Sequence, residues 1–108
     1  MNEIGEIEFI GTGTSTGIPV IGCECEVCKS TDVRDRRLRA SAIVRIAGKN
    51  ILIDCGPDFR EQMLRAKSSK LDMALLTHSH YDHVGGIDDL RPYCYPNHFP
   101  IYAQQNVL

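Results

Sequence analysis

Thr77-His78-Ser79-His80-Tyr81-Asp82-His83-Val84-Gly85-Gly86 packs three histidines and an aspartate into six consecutive positions. Imidazole nitrogens and a carboxylate are the donors that suit zinc, manganese or iron(II). On an irregular loop, His78 and His80 can point to one side while Asp82 and His83 turn to another, so that two adjacent metals each take two ligands. Ions about 3.5–4 Å apart can hold a bridging hydroxide and both oxygens of an in-line displacement at phosphorus. Immediately upstream, Met73-Ala74-Leu75-Leu76 is an apolar run of strand length that delivers the chain to these residues. Polar side chains at the end of a buried strand read as a site, and a solvated loop with incidental histidines is the bland alternative.

Working outward, Ser41-Ala42-Ile43-Val44-Arg45-Ile46 and Ile51-Leu52-Ile53-Asp54 flank Gly48-Lys49-Asn50, which predicts a hairpin. Beyond Gly56-Pro57, the spacing of Phe59, Met63 and Leu64 predicts a short amphipathic helix over Asp58 to Lys67, with Asp58 as N-cap and Arg65 and Lys67 at its far end. Ile4, Ile7, Phe9 and Ile10 predict a first strand that ends in the glycine-rich run Gly11 to Gly17. That run lacks the lysine of a phosphate-binding P-loop and reads as a loop near the metal site. Past the motif, Ile87 to Leu90 opens a helix limited by Pro92, and Pro100 to Ala103 is one more short strand. The resulting order of strand, hairpin, helix, strand, helix, strand is that of an α/β fold.

Twelve Lys and Arg against fourteen Asp and Glu leave a formal charge of −2, so no general attraction to nucleic acid or an anionic membrane is expected. No apolar run approaches the roughly 20 residues of a membrane span, and Met1-Asn2-Glu3 lacks a signal-peptide pattern; a cytoplasmic protein is expected. Between Gly11 and Arg39 no periodicity is sustained, which is uncommon in a compact domain unless something ties the segment down. Cys23, Cys25 and Cys28 are the obvious tie, as a thiolate metal site in a reducing compartment or, alternatively, as free or disulfide-paired thiols. The basic run Arg34 to Arg39 either meets an anionic substrate or is a solvated surface.

The segment 77–86 resembles the HxHxDH signature of the metallo-β-lactamase superfamily. The resemblance implies His78 and His80 on one metal and Asp82 and His83 on the second, with Asp82 and His83 also at the catalytic centre. Asp54, at the end of Leu52-Ile53-Asp54-Cys55-Gly56, resembles the superfamily's upstream aspartate, whose implied role is to orient the ligand loop by hydrogen bonds; a turn-forming Asp before Gly-Pro is the alternative. A narrower resemblance, carried by residues 11–19, the cysteine cluster, Arg36-Arg37-Leu38-Arg39 and Asp54-Cys55-Gly56-Pro57-Asp58-Phe59-Arg60, is to the phosphoribosyl cyclic phosphodiesterase (PhnP-like) branch associated with phosphonate breakdown. It implies a structural zinc on Cys23, Cys25 and Cys28, two active-site metals (zinc or manganese), and opening of a 1,2-cyclic phosphate on a small phosphorylated sugar by a metal-bridging hydroxide. An RNA-processing endonuclease of the same superfamily, or a non-enzymatic zinc-stabilised module, is the alternative.

Residues 1–108 are then expected to be the N-terminal part of one such domain, half of an αββα sandwich with a mixed sheet packed on helices. The remaining His and Asp ligands would lie elsewhere, and the chain alone is expected to be incomplete and inactive. His98 reads as an ordinary loop residue, Cys94 as a weak substitute ligand, and Cys55 as packing beneath the Asp54 loop. A homodimer is expected, with no membrane partner and no nucleic acid.

Overall fold

The computed structural model describes residues 5–94 and 98–105, so Ile4 lies outside the described residues. Five strands form one mixed sheet in chain order: β1 (Glu6–Gly11), β2 (Ser41–Ile46), β3 (Lys49–Ile53), β4 (Met73–Leu76) and β5 (Ile101–Ala103). β1, β2 and β3 pair antiparallel, while β3, β4 and β5 pair parallel. The ends of β1, β3 and β4 therefore emerge on the same side, which is where Gly11, Asp54 and Thr77 meet.

The register explains the core. Ile43, Leu52, Ala74 and Ile101 are cross-strand partners, and this face is covered by α2 (Phe59–Arg65) and the 3₁₀ segment Ile87–Cys94. Ile43, Leu52, Cys55, Phe59, Met63, Ala74, Leu76 and Leu90 are buried together there. Burying an aliphatic or aromatic side chain of this size contributes roughly 1.5–3 kcal/mol. At the end of this face far from Asp54, Arg45 donates to Glu6 and Glu8 at 3.2 and 2.8 Å and to the Ser68 carbonyl, closing the core with charge.

Among the described residues, nothing covers the opposite face. Phe9, Ala42, Ile53, Leu75 and Tyr102 form a cross-strand row over all five strands, with Phe9 71% and Tyr102 55% exposed. One face covered by helices and one apolar face uncovered is the half-sandwich arrangement expected from the sequence.

Several local expectations are corrected. The hairpin turn is the pair Ala47-Gly48, both at positive φ (53° and 75°), and Lys49 and Asn50 belong to β3. This is the chemistry of a tight two-residue turn, whose twist matches that of the strands. α2 ends at Arg65, short of Lys67, and leaves Leu64 66% exposed because Gln62, not Leu64, completes its buried face. The Gln62 amide donates to the Arg39 carbonyl at 2.8 Å. Asp58 precedes α2 without capping it; its carboxylate instead accepts from the Arg39 backbone N–H and guanidinium, both at 2.9 Å. The 3₁₀ segment continues through Pro92, since it needs no intact α-helical ladder at that position. The stretch from Gly11 to Arg39 is tied by more than cysteines: Gly13 bridges Arg39, and Ile18 and Arg37 exchange backbone hydrogen bonds at 2.8 Å.

Candidate metal centres

Asp54 directly follows β3, and its φ of 65° turns the carboxylate toward the end of the neighbouring strand β4. Asp54 is buried, and every oxygen of its carboxylate is used. Oδ1 accepts from the Thr77 backbone N–H at 2.7 Å, while Oδ2 lies 2.6 Å from Thr77 Oγ1 and 2.7 Å from His83 Nδ1. A turn-forming Asp would not need these partners; they come from the loop that Asp54 orients.

The ligand loop is also clamped to residues 54–56 through the backbone. Cys55 N–H donates to the His83 carbonyl at 2.8 Å, and Gly86 N–H donates to the Cys55 carbonyl at 2.9 Å. The two chains run so close that a Cβ on Gly56 would overlap the Asp82 carbonyl, and one on Gly86 would overlap the Gly56 carbonyl. Glycine at both places is a requirement of this approach.

Asp82 and His83 lie on a single helical turn, α3 (Tyr81–Val84), rather than on an irregular loop. With Nδ1–H directed at Asp54, a neutral His83 ring keeps its lone pair on Nε2, which lies 3.2 Å from Asp82 Oδ2. Asp82 and His83 thus offer two donor atoms to one divalent metal, whereas among the described residues only Cys23, Cys25 and Cys28 bring three such atoms within 4.8 Å of one another. The His78 ring centroid lies 4.7 Å from that of His83 and 6.0 Å from that of His80, so His78 sits nearer to His83 than to His80. A concavity of about 400 Å³ lined by Phe9, Gly11, Thr12, Ala42, Ile53 and Asp54 opens on the uncovered face and reaches the loop residues only through Asp54. Thr77, quoted in the sequence only as a flank of the motif, joins Asp54 to His78 through its hydroxyl, a contact that sequence reasoning missed.

The cysteine cluster is built differently. Cys23, Cys25 and Cys28 place their sulfurs within 4.8 Å of one another, close enough to hold one ion. Cys25 caps the single-turn helix α1 (Glu26–Lys29), its sulfur accepting from the Cys28 N–H at 3.4 Å, and Cys28 sulfur accepts from the Val20 N–H at the same distance. The Cys28 N–H is the main cause that brings the Cys25 thiol down from 9.0 to about 7, helped by the neighbouring thiols of Cys23 and Cys28. For Cys28 the Val20 N–H is the largest influence and pulls downward, but Cys23, burial and Cys25 together push the thiol up. Neighbouring thiols that shift one another in opposite directions are relieved by a cation, which lets all of them ionise. Cys94 is exposed and donates to the Leu90 carbonyl at 3.5 Å, and His98 is exposed. Cys55 is buried beneath Asp54 as expected, and burial pushes its thiol up to about 12. Three arginines of the basic run are engaged within the chain: Arg34 pairs with Asp32, Arg37 donates to Thr12 Oγ1, and Arg39 holds Asp58 and the Ser15 carbonyl, while Arg36 is exposed.

The sequence model of the β-lactamase superfamily domain matches residues 49–108. The chain belongs to the β-lactamase superfamily. A crystal structure described as a new diphosphatase from the PhnP family superposes with a TM-score of 0.92 at 45% identity, covering 98% of this chain and 44% of that one. Zinc-bound PqqB from Methylobacterium extorquens shares the superfamily fold, with a TM-score of 0.81 at 24% identity. Among curated sequences, an octanoyltransferase of Porphyromonas gingivalis is 57% identical over 93% of this chain and 20% of its own length. A ribonuclease Z of Bradyrhizobium diazoefficiens is 48% identical over 50% of this chain and 19% of its own length. The chain therefore spans about a fifth of these curated relatives. Among the described residues, no helix is long and apolar enough to cross a membrane.

Proposed function

We propose that this chain carries the metal-binding half of a metal-dependent phosphodiesterase that opens a cyclic phosphate on a small phosphorylated sugar, in the cytoplasm. The observation that carries the reading is the pair of acceptors His83 Nε2 and Asp82 Oδ2, held 3.2 Å apart by the anchor of His83 on Asp54. Likeness to a PhnP-family diphosphatase, at 45% identity, supports a phosphate ester or anhydride as substrate. His78, His80, Asp82 and His83 would hold two divalent ions, zinc or manganese, and Cys23, Cys25 and Cys28 a structural zinc.

When bound, such ions supply Lewis acidity at phosphorus and an acidified water as nucleophile. The chain's own contribution is orientation. Asp54 fixes the His83 ring, and the backbone clamp between residues 54–56 and 82–86 fixes where Asp82 and His83 stand. The concavity beside Asp54, lined by Phe9, Thr12 and Ile53, offers the sugar an apolar wall with a hydroxyl at its rim. Ligands beyond these four, and the rest of the substrate wall, are proposed to come from further sequence or from a second copy in a homodimer.

The test is hydrolysis of phosphoribosyl 1,2-cyclic phosphate by the 108-residue chain and by any longer product of its reading frame, each loaded with zinc or manganese. Opening of the cyclic ester that is lost in His80→Ala supports the reading; no turnover by either product overturns it. Ribonuclease Z likeness favours a second reading, an RNA-processing endonuclease. Cleavage of a precursor tRNA in preference to the cyclic phosphate would select it. A chain that binds zinc at its cysteines and hydrolyses neither would be a zinc-stabilised module.

A further inference from the structure

We infer that Thr77 is a positioning residue that sets the ring tautomer of His78, extending the orienting reach of Asp54 from one histidine to two. Thr77 Oγ1 lies 2.6 Å from Asp54 Oδ2 and 2.9 Å from His78 Nδ1. A hydroxyl has one proton to give, and a carboxylate can only accept. The Thr77 proton is therefore committed to Asp54, and the 2.9 Å contact to His78 is a hydrogen bond only if Nδ1 is the donor. Nδ1–H on His78 leaves its Nε2 lone pair free, the same arrangement that Asp54 imposes directly on His83 at 2.7 Å. The backbone N–H of Thr77, 2.7 Å from Asp54 Oδ1, holds the hydroxyl in place, so the relay has little freedom to turn away.

In water a neutral imidazole prefers its proton on Nε2, which blocks that nitrogen as a donor to a metal. Without the relay, His78 would have to move its proton before ligating through Nε2; with it, the ring is set beforehand. The tautomer stands on hydrogen bonding alone, while its consequence for metal binding rests on the function proposed above.

The test is nitrogen-15 long-range correlation NMR on the metal-free 108-residue chain, at a pH where imidazole is neutral. In the wild type, His78 and His83 are expected to show protonated Nδ1 and bare Nε2. Thr77→Val removes the hydroxyl at nearly constant shape; His78 is then expected to shift toward protonated Nε2 while His83 stays unchanged, and Thr77→Ser restores the wild-type pattern. Protonated Nε2 on His78 in the wild type, or no change in Thr77→Val, overturns the inference. Should Thr77→Val fail to fold, Thr77→Ala, which also lacks the hydroxyl, is read in the same way.

Zinc titration of the same proteins separates the two claims. A roughly tenfold weaker histidine-site affinity in Thr77→Val is the expected consequence of losing such an outer partner. A relay that stands while the histidines bind no zinc, in this chain and in any longer product of its reading frame, would overturn the metal reading and leave the tautomer assignment intact.

Discussion

The histidine loop and the cysteine cluster are both short runs of metal-ligand side chains, yet the fold treats them in opposite ways. The segment of Asp82 and His83 is held by the buried Asp54 through His83, by the backbone bonds that Cys55 makes with His83 and Gly86, and by glycine contacts at Gly56 and Gly86 that admit no side chain. Cys23 and Cys25 are exposed, α1 buries no residue, and the thiols are arranged by N–H groups a few positions away. One candidate site thus has two of its residues, Asp82 and His83, fixed by contacts with the segment 54–56 that leads out of the core. The other is a local knot whose lasting order must come from what it binds.

The largest effect that would break this contrast is at the anchor. Asp54→Asn removes the charged acceptor shared by Thr77 and His83, and an unfolding free energy lower by about 3 kcal/mol is expected in urea titration. The same measurement on metal-free Cys25→Ser should move by less than about 0.5 kcal/mol, as is usual for an exposed position. Equal losses would mean that the two sites are not differently built. Next comes Gly56→Ala, which forces a methyl group against the Asp82 carbonyl; a loss of about 1–3 kcal/mol is expected, with displaced His83 resonances. An unchanged spectrum would show that the clamp is slack.

Chelation sharpens the comparison by removing the ion on which the order of the cysteine knot depends. Removing zinc should abolish amide exchange protection around residues 23–29 and leave β2, β3 and β4 protected; uniform loss would contradict the contrast. A smaller effect concerns thiol reactivity. Cys25, brought down to about 7, should be alkylated by iodoacetamide at a rate that rises through neutral pH as its thiolate forms, whereas buried Cys55, pushed up to about 12, should react only on unfolding. Least of all, Arg34→Ala should leave the chain unaffected, because its pair with Asp32 is exposed.

How much of this was legible in the sequence follows the range of the interactions. Strand β4, the hairpin and the buried Cys55 are written in neighbouring residues, and the histidine motif and the cysteine spacing are local as well. Leu64 misleads because helical spacing names a stripe but not which edge of it meets the sheet, and Gln62 takes the buried place by reaching Arg39. Asp58 misleads because a carboxylate before a helix has more than one use, and Arg39, far away in sequence, claims it. Thr77 had no local signal: its partner Asp54 lies 23 residues upstream and arrives only through the parallel pairing of β3 and β4.

The turn at Ala47-Gly48 has a practical consequence. β3 runs from this turn to Asp54, so five strand residues, a span of roughly 17 Å at about 3.3 Å each, separate the hairpin tip from the anchor of the histidine loop. An affinity peptide or a fluorescent reporter spliced between Ala47 and Gly48 would project away from both ligand-bearing segments, giving a handle for immobilising or imaging the protein while its chemistry is measured at the other end.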